Sequence, residues 1–192
     1  MVIDGFKSII MIQKGWFAAQ IVSELTARRN NMIPVISVVG QSNCGKTTYL
    51  EKLISEMKRR GYQIAVIKHD VHGFEMDKPG KDTWRHAQAG AEIVCISSPK
   101  KMAMIQKVEE ELSLDEVVSH ITGVDIIFTE GYKRESKKKI EIFRKVVCDT
   151  PLCSKEELLA VVSDTRLYED IPHFSLEDPA VMADFLIAEV LR

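Results

Sequence analysis

Ile33-Pro34-Val35-Ile36-Ser37-Val38-Val39 runs directly into Gly40-Gln41-Ser42-Asn43-Cys44-Gly45-Lys46-Thr47, and this junction decides the fold. The first stretch is short, apolar and rich in β-branched residues, the pattern of a buried strand. The second fits the phosphate-binding pattern G-x-x-x-x-G-K-[ST]. From Thr47 to Gly61 the chain reads as a helix. Leu50, Leu53, Ile54 and Met57 recur at helical spacing, basic residues fill the last turn, and Gly61 stops it. Strand, glycine loop and helix therefore stand in the order that phosphate binding needs. Glycines let the backbone curl until successive N–H groups point inward at phosphate oxygens, and the helix N-terminus adds partial positive charge. Gly40, Gln41, Ser42, Asn43, Cys44, Gly45, Lys46, Thr47 and Thr48 are the expected nucleotide contacts. Lys46 is expected at the β- and γ-phosphates and the Thr47 hydroxyl on Mg²⁺.

Downstream, Tyr62–Lys68, Ala91–Ile96, Met102–Ile105, Val124–Thr129, Lys139–Arg144 and Leu158–Ser163 read as further strands. Lys139-Ile140-Glu141-Ile142-Phe143-Arg144 alternates polar and apolar, which predicts one wet face. Helices are expected over Thr83–Ala89, from a Ser113-Leu114-Asp115-Glu116 capping box through Ile121, and from Asp178-Pro179 to the C-terminus. Strands alternating with helices predict an α/β protein: a three-layer P-loop NTPase fold with a mostly parallel sheet. Ligands on such sheets bind at the carboxyl ends of the strands. That rule gathers the phosphate loop, Lys68-His69-Asp70, Thr129-Glu130-Gly131 and Ser163-Asp164 on one rim.

Composition narrows the class. The chain has 192 residues, is 45% hydrophobic and 28% charged, and carries a net charge of −2, as ordinary globular domains do. That charge gives no general case for nucleic-acid or membrane binding. No apolar run approaches the ~20 residues that span a bilayer. Cys44, Cys95, Cys148 and Cys153 follow no disulfide framework, so a reduced, cytoplasmic setting is expected. Residues 1–31 form a distinct N-terminal extension before a P-loop domain over 32–192. Ile9, Ile10, Ile12, Trp16, Phe17, Ile21, Val22 and Leu25 suggest an amphipathic helix, while Asp4 and Lys14 argue against a secretory signal. The alternative is that translation starts at Met32, with Arg28-Arg29-Asn30-Asn31 encoded by a purine-rich ribosome-binding sequence. We favour the Met32 start, and a genomic sequence without purine-rich codons there would oppose it.

Glu130 follows an apolar strand and precedes Gly131, where an acid can hold Mg²⁺ or orient a water near the γ-phosphate. The bland reading is a strand-end carboxylate in solvent. Asp70 is a second candidate for the metal shell, whereas Asp125 opens its strand at the wrong end and is expected to be structural. His69 and His72 have metal-binding spacing but lack a third ligand. Lys81, Trp84 and Arg85 suit an anionic, ring-bearing ligand, by phosphate contact and stacking, against a plain solvated loop anchored by Trp84. The basic run Lys133–Lys139 either attracts a phosphorylated partner or is a solvated face. No Asn-Lys-x-Asp guanine motif is present. Asp164 occupies the corresponding place, and its carboxylate could accept guanine N1–H and the exocyclic amine.

These motifs together resemble the molybdopterin-guanine dinucleotide biosynthesis protein B (MobB) family. The resemblance runs from about Pro34 to Asp164. Its specific parts are Lys68-His69-Asp70 with His72, Phe74 and Asp77, then Pro79–His86, Ala89-Gly90-Ala91, Glu130-Gly131-Tyr132-Lys133 and Lys139–Arg144. The resemblance implies a cytoplasmic, dimeric GTP-binding protein with weak GTPase activity. It implies an accessory role beside the molybdopterin guanylyltransferase, with molybdopterin or its guanine dinucleotide as a further ligand and molybdoenzymes or their chaperones as recipients. Lys46 and Glu130 would act on the phosphates, with Thr47, Asp70 and Glu130 around Mg²⁺. Rival readings are a P-loop small-molecule kinase, a metal-insertion GTPase, and a non-hydrolysing carrier of pterin phosphate.

Overall fold

A computed structural model describes residues 32–192; the extension read over residues 1–31 lies outside the described residues. The chain forms β1 (Val35–Val39), α1 (Lys46–Arg59), β2 (Ile64–Lys68), α2 (Asp82–Gln88), β3 (Ile93–Ser98) and β4 (Lys101–Gln106). It continues through α3 (Leu114–Ser119), β5 (Ile126–Glu130), β6 (Lys139–Phe143), β7 (Leu158–Ser163), β8 (His173–Phe174) and α4 (Pro179–Glu189). A six-stranded sheet runs β2-β5-β1-β6-β7-β8, and every neighbouring pair in it is parallel. The strand before the glycine loop is central and packed on both faces, which is why it reads as a nearly continuous apolar run.

Alternation along the strands separates two cores. Ile36 and Val38 of β1 join Leu50, Leu53 and Met57 of α1 and Met182 and Leu186 of α4 on one face. Val39 and Val161 point the other way, onto Cys153 and Leu158. Each fully buried Leu or Met contributes about 1.5–3 kcal/mol over an exposed one. Arg60 ties α1 to α4, through the Asp184 carboxylate and the Ala180 carbonyl at 3.0 Å. Local signals act where the sequence places them. Ser113 and Glu116 close the capping box on α3, and Asp178 accepts from the Ala180 N–H with Pro179 at the first position of α4.

Two elements differ from expectation. β3 and β4 leave the main sheet and pair antiparallel with each other. Only Pro99 and Lys100 join them, a connection that permits a hairpin and forbids a parallel crossover. The second difference is β6, which has no wet face: all of Lys139–Phe143 is buried between β1 and β7. Protein groups replace water around its polar residues. Lys139 pairs with Glu157, and Glu141 accepts the Leu152 N–H at 2.5 Å and the Cys153 N–H at 3.1 Å. Among the described residues, no helix is long and apolar enough to cross a membrane.

Candidate functional site

The loop between β1 and α1 takes the left-handed conformations that its residues permit. Gly40 has φ 149°, Asn43 φ 63° and Gly45 φ 95°. Glycine enters this region freely and asparagine is among the few side chains that follow. Gly45 caps α1, and the Tyr49 N–H reaches its carbonyl at 2.9 Å. The Lys46 ammonium donates back to the Gln41 carbonyl at 2.8 Å, so it lies across the loop rather than out in solvent. Cys44 is buried beneath the loop, and that burial pushes its thiol pKa up.

The parallel pairing of β5 with β1 sets Glu130 opposite Val38, two residues before the loop begins. From there one Glu130 carboxylate oxygen accepts the Thr47 hydroxyl proton at 2.7 Å. A hydroxyl that donates keeps two lone pairs, and a carboxylate keeps a second oxygen. This hydroxyl–carboxylate pair at a helix N-terminus is a hard-oxygen donor set, and it fits Mg²⁺ completed by phosphate oxygens and water. The loop amides and Lys46 fit the polyphosphate itself.

β2 lies on the far side of β5, and the His69 N–H bonds the Glu130 carbonyl at 2.9 Å. A Cβ on Gly131 would stand 2.9 Å from the His69 Cβ, so this close approach needs glycine. Tyr132 then adopts φ 39°, and its ring stacks on His69 with centroids 4.4 Å apart and planes 18° apart. Burial, aided by the nearby Glu111 and Glu135 charges, pushes the Tyr132 phenol pKa up. The His69 Nε2 meets a Glu111 oxygen at 2.5 Å. Together these groups wall a cavity of about 910 Å³ that opens from Lys46 and Asp70 to Tyr132, Lys133 and Arg134.

The structure therefore brings the loop, Thr47, Asp70 and Glu130 to one edge. Asp70 also accepts the His72 N–H at 3.1 Å, which shapes the turn after β2. Asp125 is structural, accepting the Gln63 N–H at 2.7 Å at the opposite end of the strands. Asp164 follows β7 and accepts the Lys145 N–H at 3.0 Å. Lys81, Trp84 and Arg85 do not line the cavity. They belong to α2 and its N-cap, whose main packing partner is β3 rather than the large sheet. The basic run divides: Lys133 and Arg134 reach the cavity, Lys137 pairs with Asp115 at 2.6 Å, and Lys139 is buried. Among the described residues no group of three His, Cys, Asp or Glu side chains is placed to hold a metal ion, so His69 and His72 gain no third ligand of that kind. Glu111 escaped the sequence reading, because its bond to His69 spans 42 positions and carries no local signal.

Comparison with known proteins places the family. The family model described as molybdopterin guanine dinucleotide synthesis protein B matches residues 35–164. The molybdopterin-guanine dinucleotide biosynthesis adapter protein of Escherichia coli is 35% identical over 162 residues, covering 81% of this chain and 93% of that protein. Its Haemophilus influenzae namesake is 34% identical over 159 residues, covering 82% and 89%. The crystal structure of Bacillus subtilis MobB matches the fold with a TM-score of 0.64 at 23% identity, covering 81% of this chain and 96% of that one. A crystal structure of molybdopterin-guanine biosynthesis protein B gives 0.61 at 28% identity, covering 80% and 98%. With two thirds of its length inside the family model and relatives this similar along most of it, the chain belongs to the MobB family.

Proposed function

We propose that this protein is a GTP-binding adapter in molybdenum cofactor biosynthesis, assisting the guanylyltransferase that converts molybdopterin to its guanine dinucleotide. The names of its relatives support the pathway. The observation that carries the nucleotide reading is the Thr47–Glu130 hydrogen bond at 2.7 Å beneath an intact phosphate loop. In this reading Lys46 leaves the Gln41 carbonyl for the β- and γ-phosphates. Thr47 and Glu130 hold Mg²⁺, which neutralises phosphate charge when bound, and Asp70 orients water around it. Asp164 keeps one carboxylate oxygen on the Lys145 N–H and offers the other to guanine. Hydrolysis is expected to be slow, as suits an accessory role. The cavity beyond Lys46 suits a phosphorylated pterin, with a ring against Tyr132 and an anion on Lys133 or Arg134.

Equilibrium binding of GTP and ATP with Mg²⁺ tests the core of this proposal. GTP should bind at least about tenfold more tightly than ATP. Lys46→Ala should weaken GTP by about 10–100-fold, the worth of one charge-assisted contact. Preference for ATP would move the assignment to a small-molecule kinase with its acceptor in the cavity.

We also propose a cytoplasmic homodimer formed through the β3–β4 hairpin. Ile93, Met102 and Met104 are exposed on one face of it, an apolar patch of the kind that marks an interaction site. Cys95 lies opposite Met104 and shares its face, which gives a direct assay. The other thiols are buried, and burial pushes Cys153 up to about 12. Buried away from solvent, Cys44, Cys148 and Cys153 should resist a thiol reagent until the protein unfolds. Cys95 should label fast in dilute protein and more slowly as concentration rises. A rate independent of concentration would oppose a dimer through this surface.

A further inference from the structure

We propose that Arg144 is a nucleotide ligand, gripping the polyphosphate at its nucleoside end; this rests on the nucleotide-binding reading above. Arg144 leaves the carboxyl end of β6, the strand on the opposite side of β1 from β5. Its guanidinium lies against the phosphate loop at Gly45: a Cβ there would meet Nε and Nη2 at 3.5 Å and Cζ at 3.7 Å. Arg144 Nε is buried and has no hydrogen-bond partner among the described residues. No carboxylate pairs with the guanidinium among them either. A cation with a buried, unbonded N–H normally finds a partner, and the nucleoside-side phosphate of a nucleotide seated on the loop is the one this position offers.

The backbone fixes that position firmly. The Val147 and Cys148 N–H groups both bond the Arg144 carbonyl at 2.9 Å, with Cys148 in the core. The next N–H, from Lys145, is the one that Asp164 accepts. Arg144 thus stands between the phosphate loop and the carboxylate proposed to read the base. Glu130, Asp70 and the large cavity all lie on the β5 side of the loop, where the γ-phosphate and metal belong. An arginine on the β6 side therefore reaches the α-phosphate end, and its planar fork matches two phosphate oxygens.

Competition binding against a fluorescent GTP analogue separates this role from mere support of the loop. Arg144→Gln should weaken GTP and GDP alike, by about 10–100-fold. Inorganic pyrophosphate, competing at millimolar concentration through Lys46 and the loop amides, should change by less than about twofold. Arg144→Lys should recover part of the lost affinity, and the ligand-free proteins should melt alike. Equal loss of pyrophosphate binding, or no recovery in Arg144→Lys, would reduce Arg144 to a prop for the loop. GTP binding that depends on Lys46 but not on Arg144 would sink this inference and leave the nucleotide reading standing. Absence of GTP binding in the unmodified protein would sink both.

Discussion

Replacing Gly40 by alanine is expected to lower the melting midpoint by about 5–15 °C and to abolish nucleotide binding in what remains folded. A Cβ at Gly40 would stand 2.4 Å from the Ile142 carbonyl oxygen and 2.7 Å from the Cys44 sulfur. The first of these is backbone of a fully buried strand residue, so it cannot turn aside as a long side chain would. Gly40 continues β1 where β1 pairs with β6, through Val38 opposite Ile140 and Val39 opposite Glu141. Relief therefore requires prising β1 from β6 or lifting the loop. Its φ of 149° adds strain for any side chain. Together the clash and the strain cost about 2–4 kcal/mol. Lifting the loop also moves the amides that would hold phosphate, which couples the stability loss to the binding loss. Gly61→Ala is the control. It shares the positive φ, at 96°, but a Cβ there would meet nothing within 4 Å. That variant should lose about 1–2 kcal/mol and keep its affinity. If Gly40→Ala melts within about 2 °C of the unmodified protein, or binds GTP normally, the close packing of loop on β6 does not hold in solution.

The same packing explains what was legible in the sequence. β1, the phosphate loop and α1 could be read because their signals are local: an apolar run, glycines at fixed offsets, a helical stripe ending in Gly61. The capping box at Ser113 and the Asp178-Pro179 start are local in the same sense. β6 was misread because alternation reports chemistry, not surroundings. Lys139 and Glu141 look solvated in sequence, yet Glu157, Leu152 and Cys153 supply their partners from 11 to 18 positions away. Arg144 ended a strand in that reading, yet it was not gathered on the rim with the ends of β2, β5 and β7. In the candidate site, Glu130 was legible as an acid ending an apolar strand. The stacking of Tyr132 on His69 was not, because it depends on β2 and β5 becoming neighbours although a hairpin and two helices separate them in the chain. Density of cations drew Lys81 and Arg85 toward the site on paper. In the fold, α2 stays with its hairpin.

Glu130→Gln should remove most of the Mg²⁺ dependence of nucleotide binding while leaving the fold unchanged. The substitution keeps an oxygen that can accept the Thr47 hydroxyl, which is 2.7 Å from the native carboxylate. It removes the negative charge. Thr47 is exposed, so the change creates no buried orphan and little stability is at stake. The charge is what matters to a hard dication, whose affinity follows the charge and number of its oxygen ligands. Loss of a charged partner to a ligand-bearing hydroxyl typically weakens a metal site 10–100-fold, and about that loss is expected in the presence of Mg²⁺. In EDTA the two proteins should bind nucleotide about equally, or the variant slightly better, because the carboxylate repels phosphate when no cation stands between them. Thr47→Ala should show the same dependence on Mg²⁺ by removing the hydroxyl instead. Binding curves for Glu130→Gln taken with Mg²⁺ and with EDTA settle the point. Parallel weakening in both would mean that Glu130 shapes the loop through Thr47 and does not hold the ion. An unchanged response to Mg²⁺ would transfer the metal to Asp70, the carboxylate just after β2 that lines the cavity.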